Sequence, residues 1–207
     1  MSKKSSKVLV AATRNPDKLA EIRQILSGTG IEVRGANEFG GVPVVEETGS
    51  SLEENALLKA ETVHRATGLP TIADDTGLEV DALNGRPGVY SSRFAGENAT
   101  YAENVQKLLR ELKDVPDERR TARFRCVVVF VDGRQSRTVE GVREGRILRE
   151  PRGEAGFGYD PVFFVPEKGK TFAEMSADEK NRISHRALAL QKLKDLLVRY
   201  FEEADHD

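Results

Sequence analysis

Acidic pairs set against apolar or glycine-rich neighbours are the first residues of this chain with chemistry to offer. Asp74-Asp75 follows Thr71-Ile72-Ala73, and Glu46-Glu47 stands just before Gly49-Ser50-Ser51. Adjacent aspartates running out of an apolar strand are hard to explain by packing. Neighbours in a strand point to opposite faces, so one carboxylate is placed to bind a ligand and the other to brace the structure. Hard carboxylate oxygens suit Mg²⁺, which takes one or two of them together with phosphate oxygens and water. Asp-Asp-Thr-Gly is also sound turn chemistry, and a plain turn is the competing reading.

Three further segments can act on an anion or a base. In Thr13-Arg14-Asn15-Pro16-Asp17-Lys18, an apolar strand gives way to a helix, with Asn15 as cap and Pro16 at the first helical position. The carboxyl end of a strand at a helix start is where open α/β sheets bind ligands. Backbone N–H groups, the helix dipole, Lys18 and Arg14 all favour an anion there. The alternative is an ordinary capped helix with solvated charges. In Gly156-Phe157-Gly158-Tyr159-Asp160-Pro161, glycines permit close backbone approach, the two aromatics can stack on a base, and Asp160 can accept from base or sugar. A turn with core aromatics is the simpler account. Finally, Lys180-Asn181-Arg182-Ile183-Ser184-His185-Arg186 places Arg182 and Arg186 four apart, on one face at the head of the last helix. Cations at a helix start oppose its dipole, a cost that a bound anion offsets.

Several other chemistries are excluded. Lys and Arg total 32 against 34 acidic residues, a formal charge of −2, so no basic character argues for a nucleic-acid partner. Gly169-Lys170-Thr171 resembles the end of a phosphate-binding loop, but Phe164 occupies the position where its first glycine must stand. Three histidines and one cysteine give no zinc spacing, and no serine stands in a G-x-S-x-G elbow. No apolar run approaches the roughly 18–20 residues of a membrane span. The single Cys126, within Cys126-Val127-Val128-Val129-Phe130-Val131, reads as a buried thiol of a reducing cytoplasm.

Elements to carry these residues follow from patterning. Lys7 to Ala12 reads as a buried strand, followed by a helix bearing Leu19, Ile22, Ile25 and Leu26 and closed by Gly28 and Gly30. Strands are expected near Ile31 to Gly35 and, more weakly, Val42 to Val45. Ser50 with Glu53 forms a capping box before the helical stripe Leu52, Ala56, Ala60 and Val63. Thr71 to Ala73 is a short strand, and Leu83 to Gly88 a loop. Val105, Leu108, Leu109 and Leu112 mark a helix, and Phe124 to Val131 a central strand pairing with Thr138 to Arg143. After a strand at Pro161 to Val165, the chain closes on one long helix with Ile183, Ala187, Leu190, Leu193 and Leu197 on a single face. The expected class is α/β, a mixed sheet with helices packed on it.

Taken together, ATRNPDKLAEI, EETGSSLEENALLKA, IADDTGLEVDALNGRPGVYSSRFAG, GFGYDPVFF and TFAEMSADEKNRISHRALAL closely resemble the inosine triphosphate pyrophosphatase family, also called XTP/dITP diphosphatases. The segments run in family order from about Val8 to Leu193. The resemblance implies an elongated, two-lobed single domain over residues 1–207 with a mixed, twisted sheet and a central cleft, usually a homodimer. Residues 1–6 and 202–207 are expected as disordered tails. It further implies that Thr13 to Lys18 grips the triphosphate, that Asp75 is the proton acceptor at Mg²⁺, and that Glu46 or Glu47 is a second metal-side carboxylate. Lys59 matches a lysine that reaches the phosphates. Thr76, Phe157, Gly158, Tyr159, Asp160, Lys180, His185 and Arg186 match substrate-contacting positions. Arg14 stands where many relatives have glycine, and Thr76 where many have serine.

The implied reaction is hydrolysis of ITP, dITP or XTP to the monophosphate and pyrophosphate in the cytoplasm, keeping deaminated purines out of DNA and RNA. A 6-oxo purine accepts where adenine's 6-amino group donates, so a fixed donor such as Arg186 would reject adenine. Rival readings are a pyrophosphatase for other modified or pyrimidine nucleotides, and a non-catalytic nucleotide- or RNA-binding module whose affinity falls steeply with salt.

Overall fold

A computed structural model describes residues 7–203; of the tails expected at 1–6 and 202–207, residues 1–6 and 204–207 lie outside the described residues. The strands are β1 (Val8–Ala11), β2 (Glu32–Gly35), β3 (Thr71–Val80), β4 (Pro87–Gly88), β5 (Thr121–Val131), β6 (Ser136–Ile147), β7 (Phe163–Val165) and β8 (Lys170–Thr171). The α-helices are α1 (Pro16–Ile25), α2 (Leu52–Thr67), α3 (Tyr101–Glu111), α4 (Ala177–Ile183) and α5 (His185–Glu203). Among the described residues the strands form one sheet in the order β2-β1-β3-β5-β6-β7-β8, with β4 paired to β3. β1 runs parallel to β2 and β3, whereas β4 on β3, β7 on β6 and β8 on β7 are antiparallel. The sheet is therefore mixed and flanked by helices, as the alternation of patterns predicts.

The chain divides into two compact units. The first holds residues 7–75, 127–141 and 186–203; the second holds 76–126 and 142–185. In the first, β1 lies between β2 and β3, so the chain departs from it in both directions. Such a switch point opens a ligand crevice at the carboxyl ends of the strands. α1 starts there because Asn15 is extended and its side chain accepts from the N–H groups of Asp17 and Lys18, with Pro16 at the first helical position. Leu19, Ile22, Ala56, Ala60, Val63, Leu190, Leu193 and Leu197 are buried. The core of the second unit gathers Leu78, Val80, Leu108, Phe124, Phe163 and Phe172 with Tyr159, and Ile183 packs against it.

Five expectations change. Val42 to Val45 forms no strand; Val42 is buried and its carbonyl accepts from Arg14 Nη2 at 2.7 Å, while Val44 is exposed. The cap of α2 is Ser51 rather than Ser50. Its hydroxyl accepts from Glu54 N–H, and the Glu54 carboxylate reaches back to the N–H and hydroxyl of Ser50, one residue along from the expected box. β3 does not stop at Ala73 but runs through both aspartates to Val80, which overturns the turn reading of Asp-Asp-Thr-Gly. The last helix is two helices, because Ser184 is extended (φ −67°, ψ 157°). Arg182 in α4 and Arg186 in α5 therefore share no helical face. α5 continues through Glu202 and Glu203, which were expected in the tail.

Candidate functional site

Register brings the chemistry of the first unit together. β1 ends at Ala11, paired with Ile72, and Ala12 N–H donates to the Ile72 carbonyl at 2.7 Å. Asp74 and Asp75 thus extend β3 past the end of its neighbour, beside the loop that leads into α1. Lys18, in the first turn of α1, reaches Asp74 Oδ2 at 3.0 Å. Arg186 Nη2 donates to the same oxygen at 3.0 Å, and Arg186 Nη1 donates to Glu21 Oε2. Asp74 and Arg186 are both buried.

Asp75 has a different company. Lys59 Nζ donates to its Oδ1 at 3.0 Å and to Glu47 Oε1 at 2.7 Å. Asn55 Nδ2 donates to Asp75 Oδ2 at 3.3 Å. Lys59 and Asn55 sit four apart on α2, within the stripe that also buries Leu52, Ala56, Ala60 and Val63. A helix face that is otherwise apolar therefore turns two polar groups toward one carboxylate.

The neighbouring aspartates differ electrostatically because their cation supply differs. Burial opposes ionisation of Asp74, but Lys18, Arg186 and Lys59 outweigh it and hold that carboxyl far below the usual range. Burial pushes Asp75 above the ordinary aspartate value; Lys59 and Lys18 pull against the rise, and Glu47, which shares Lys59, adds to it. Burial also disfavours the Lys59 charge, yet Asp75, Glu47 and Asp74 more than compensate and raise its ammonium. One carboxylate is held ionised and the other is left more basic, the split that acid–base chemistry uses.

The depressed Asp74 makes a prediction about acid stability. Its folded value lies below the unfolded value of about 3.9, so its contribution is complete above that pH and is lost as pH falls toward the folded value. Wild type should lose stability below about pH 4 more steeply than Asp74→Asn, by up to about 1.4 kcal/mol per pH unit. Urea melts between pH 5 and pH 2 measure this, and parallel slopes for the two proteins would contradict the assignment.

The loop Thr13 to Lys18 is preorganised differently from the expectation of free N–H groups. Asn15 N–H donates to Thr13 Oγ1 at 3.1 Å, and Asn15 Oδ1 takes the N–H groups of Asp17 and Lys18 at 2.9 and 3.2 Å. Beside these bonds stands the cationic side chain of Lys18, held by Asp74. Arg14 is turned to the Val42 carbonyl. Of the acidic pair in the preceding loop, Glu47 meets Lys59, whereas Glu46 is exposed. Among the described residues no three His, Cys, Asp or Glu side chains gather into a metal-holding group, so Glu46, Glu47 and Asp75 are not assembled as a trio.

In the second unit, Asp160 Oδ2 accepts from Lys180 Nζ at 2.5 Å and from Phe157 N–H at 2.8 Å. Gly156 is required there: its φ is +75°, and a Cβ would stand 2.1 Å from Asp160 Oδ2. Lys180 Nζ lies 4.7 Å from the centre of the Phe157 ring, which also meets Tyr101 at 5.9 Å. Tyr159 is a core residue whose hydroxyl donates to the Ser91 carbonyl at 2.9 Å, and its burial raises the phenol well above its ordinary value. Of the two aromatics flanking Gly158, only Phe157 is less than fully buried. His185 is buried and stacks on Phe124 with ring centres 4.5 Å apart. Thr76 lies half-buried on β3. Sequence reasoning missed Asn55 and Glu21. The first was signalled by a carboxamide breaking an apolar stripe, the second only by its place three residues after Lys18.

Carboxylates and lysines converging where parallel strands end and a helix begins define an α/β protein built to handle phosphate groups. Comparison with known proteins narrows that class: residues 9–196 match the model of the Ham1 family, and the chain belongs to that family. It is 53% identical over 192 residues to the dITP/XTP pyrophosphatase of Bacillus subtilis (strain 168), covering 92% of this chain and 97% of the relative. The dITP/XTP pyrophosphatase of Shigella flexneri is 50% identical over 192 residues, with coverages of 91% and 97%. Among solved structures, a HAM1 protein from Coxiella burnetii superposes with a TM-score of 0.84 at 47% identity, covering 93% of this chain and 98% of the other. The Staphylococcus aureus Ham1 protein gives 0.81 at 42% identity, with coverages of 92% and 98%. Among the described residues no helix is long and apolar enough to cross a membrane.

Proposed function

We propose that this chain hydrolyses deaminated purine nucleoside triphosphates (ITP, dITP and XTP) to the monophosphate and pyrophosphate, with Mg²⁺ as cofactor. The observation that carries the reading is the pair Glu47 and Asp75 closing on one lysine, with a second lysine on the adjoining Asp74. The names of relatives about half identical over nearly the whole chain supply the substrate class.

The donor set fits the metal. Two hard carboxylates, Glu47 and Asp75, already converge on a single positive charge, and Mg²⁺ needs no more than one or two of them beside phosphate oxygens and water. Bound there, Mg²⁺ supplies positive charge to the phosphate oxygens and Lewis acidity at phosphorus. The side chains do the rest. Asp75, made more basic by burial, accepts the proton of the water that attacks the α-phosphorus in line. Lys18 and Lys59 stabilise the charge of the departing pyrophosphate. Asp74, kept ionised, holds Lys18 in place. Base selection is assigned to Phe157, Gly158, Asp160, Lys180 and His185, whereas Arg186, whose two terminal nitrogens are held by Glu21 and Asp74, braces the ionised carboxylate. We further assign the enzyme to the cytoplasm, where a buried thiol such as Cys126 stays reduced, and to a homodimer, as the family resemblance implies.

A pyrophosphate-release assay tests the reading. ITP and XTP are expected to turn over with Mg²⁺, ATP and dTTP at least about 100-fold less well, and EDTA is expected to stop the reaction. Nucleotide binding without pyrophosphate release would refute it.

A further inference from the structure

We propose that Asn55 is a positioning residue: it fixes the orientation of Asp75 and ties the carboxylate-bearing loop before α2 to it. This rests on the proposed hydrolysis, in which Asp75 takes a proton and Glu47 and Asp75 hold Mg²⁺.

Asn55 is fully buried, and both ends of its carboxamide are used. Oδ1 accepts from Gly49 N–H at 2.8 Å, and Nδ2 donates to Asp75 Oδ2 at 3.3 Å. Gly49 follows Glu47 by two residues, and Glu47 and Asp75 share Lys59. The result is a closed circuit: Asp75 to Asn55, Asn55 to the loop, the loop through Glu47 to Lys59, and Lys59 back to Asp75. Gly49 lies so close that a Cβ there would stand 2.7 Å from Asn55 Oδ1 and 2.7 Å from Glu54 Cβ.

Residue chemistry explains the choice of asparagine. The position needs an acceptor facing a backbone N–H and a donor facing a carboxylate, one from each end of a planar group. Aspartate offers no donor when ionised, and leucine of similar size offers neither. Lys59 is the other tie between Asp75 and the loop, but its ammonium holds the same two carboxylates that are proposed to hold the cation. Asn55 takes the opposite oxygen of Asp75 and a backbone group of the loop, so its tie does not compete with a cation between Glu47 and Asp75. Residues that orient metal-side carboxylates in this way characteristically matter about 10–100-fold in metal affinity or activity.

The test uses the full chain with Asn55→Leu and Asn55→Ser. Expected are a kcat for ITP lowered about 10–100-fold with KM within about threefold, and a Mg²⁺ affinity, read by calorimetry without nucleotide, weakened about tenfold. If Asn55→Leu does not fold, Asn55→Ser carries the comparison. A folded Asn55 variant with wild-type kcat, or with unchanged Mg²⁺ affinity, overturns the proposal. Should wild type itself fail to release pyrophosphate from ITP, the proposed function falls, and the calorimetric comparison still decides whether Asn55 orders the carboxylates.

Discussion

Asp75→Asn is expected to lower kcat for ITP by about 10²–10⁴-fold in a protein that still folds. The amide has the shape of the acid but cannot take a proton at neutral pH, and it brings no charge to a cation shared with Glu47. Electrostatics explain why the fold should survive. Burial, with Glu47 sharing the one lysine, raises Asp75 in the folded state, so its ionised form opposes folding above the unfolded value of about 3.9. A neutral amide removes that cost, which offsets part of what Lys59 loses. Lys59 keeps Glu47 at 2.7 Å, and Asn55 keeps its bond to Gly49. Circular dichroism and a thermal melt establish the fold, and pyrophosphate release measures turnover. Near-wild-type hydrolysis of ITP by a folded Asp75→Asn protein would falsify the assignment of Asp75.

What could be read beforehand divides along the range of the interaction. The Asn15-Pro16 start of α1 is local: a cap and a proline act within one turn, and the structure has both where the residues stand. The apolar stripe of α2 is local too, and it holds. Its cap slipped by one because Ser50 and Ser51 are chemically alike, and only the position of Glu54 decides between them. Ser184 shows the limit of periodicity. Ile183 and Ala187 keep helical spacing across it, yet one extended serine assigns them to different helices and different units. Tyr159 shows the limit of motif reading. A tyrosine between glycine and aspartate suggests a base platform, but the partner that settles its place is the Ser91 carbonyl, 68 positions away. The paired aspartates were legible as unequal because a strand separates neighbours to opposite faces. Which one is clamped by two cations was not, since Lys18, Arg186 and Lys59 come from three separate helices.

Arg186→Ala is expected to cost about 3–5 kcal/mol of stability, the loss characteristic of removing one partner from a buried ion pair. The guanidinium is almost wholly buried and joins Glu21 of α1 to Asp74 of β3, so its removal leaves two acids short of a partner within the first unit. Asp74 retains Lys18 and the more distant charge of Lys59, but a carboxylate this deeply buried owes its ionisation to all three cations. For a chain of this length each kcal/mol moves the melting temperature by about 2–4 °C, so a fall of about 10 °C is expected. Arg186→Lys should recover only part of it. A compact ammonium cannot span two carboxylates as a planar fork does. Substitution of an exposed arginine such as Arg65, paired with Glu61 on its own helix, should move the midpoint by no more than about 2 °C. Thermal melts of the three variants at pH 7 rank these effects. If Arg186→Ala melts no lower than Arg65→Ala, the guanidinium does not brace Asp74, and the ionised carboxylate beside Asp75 must be sustained by Lys18 and Lys59.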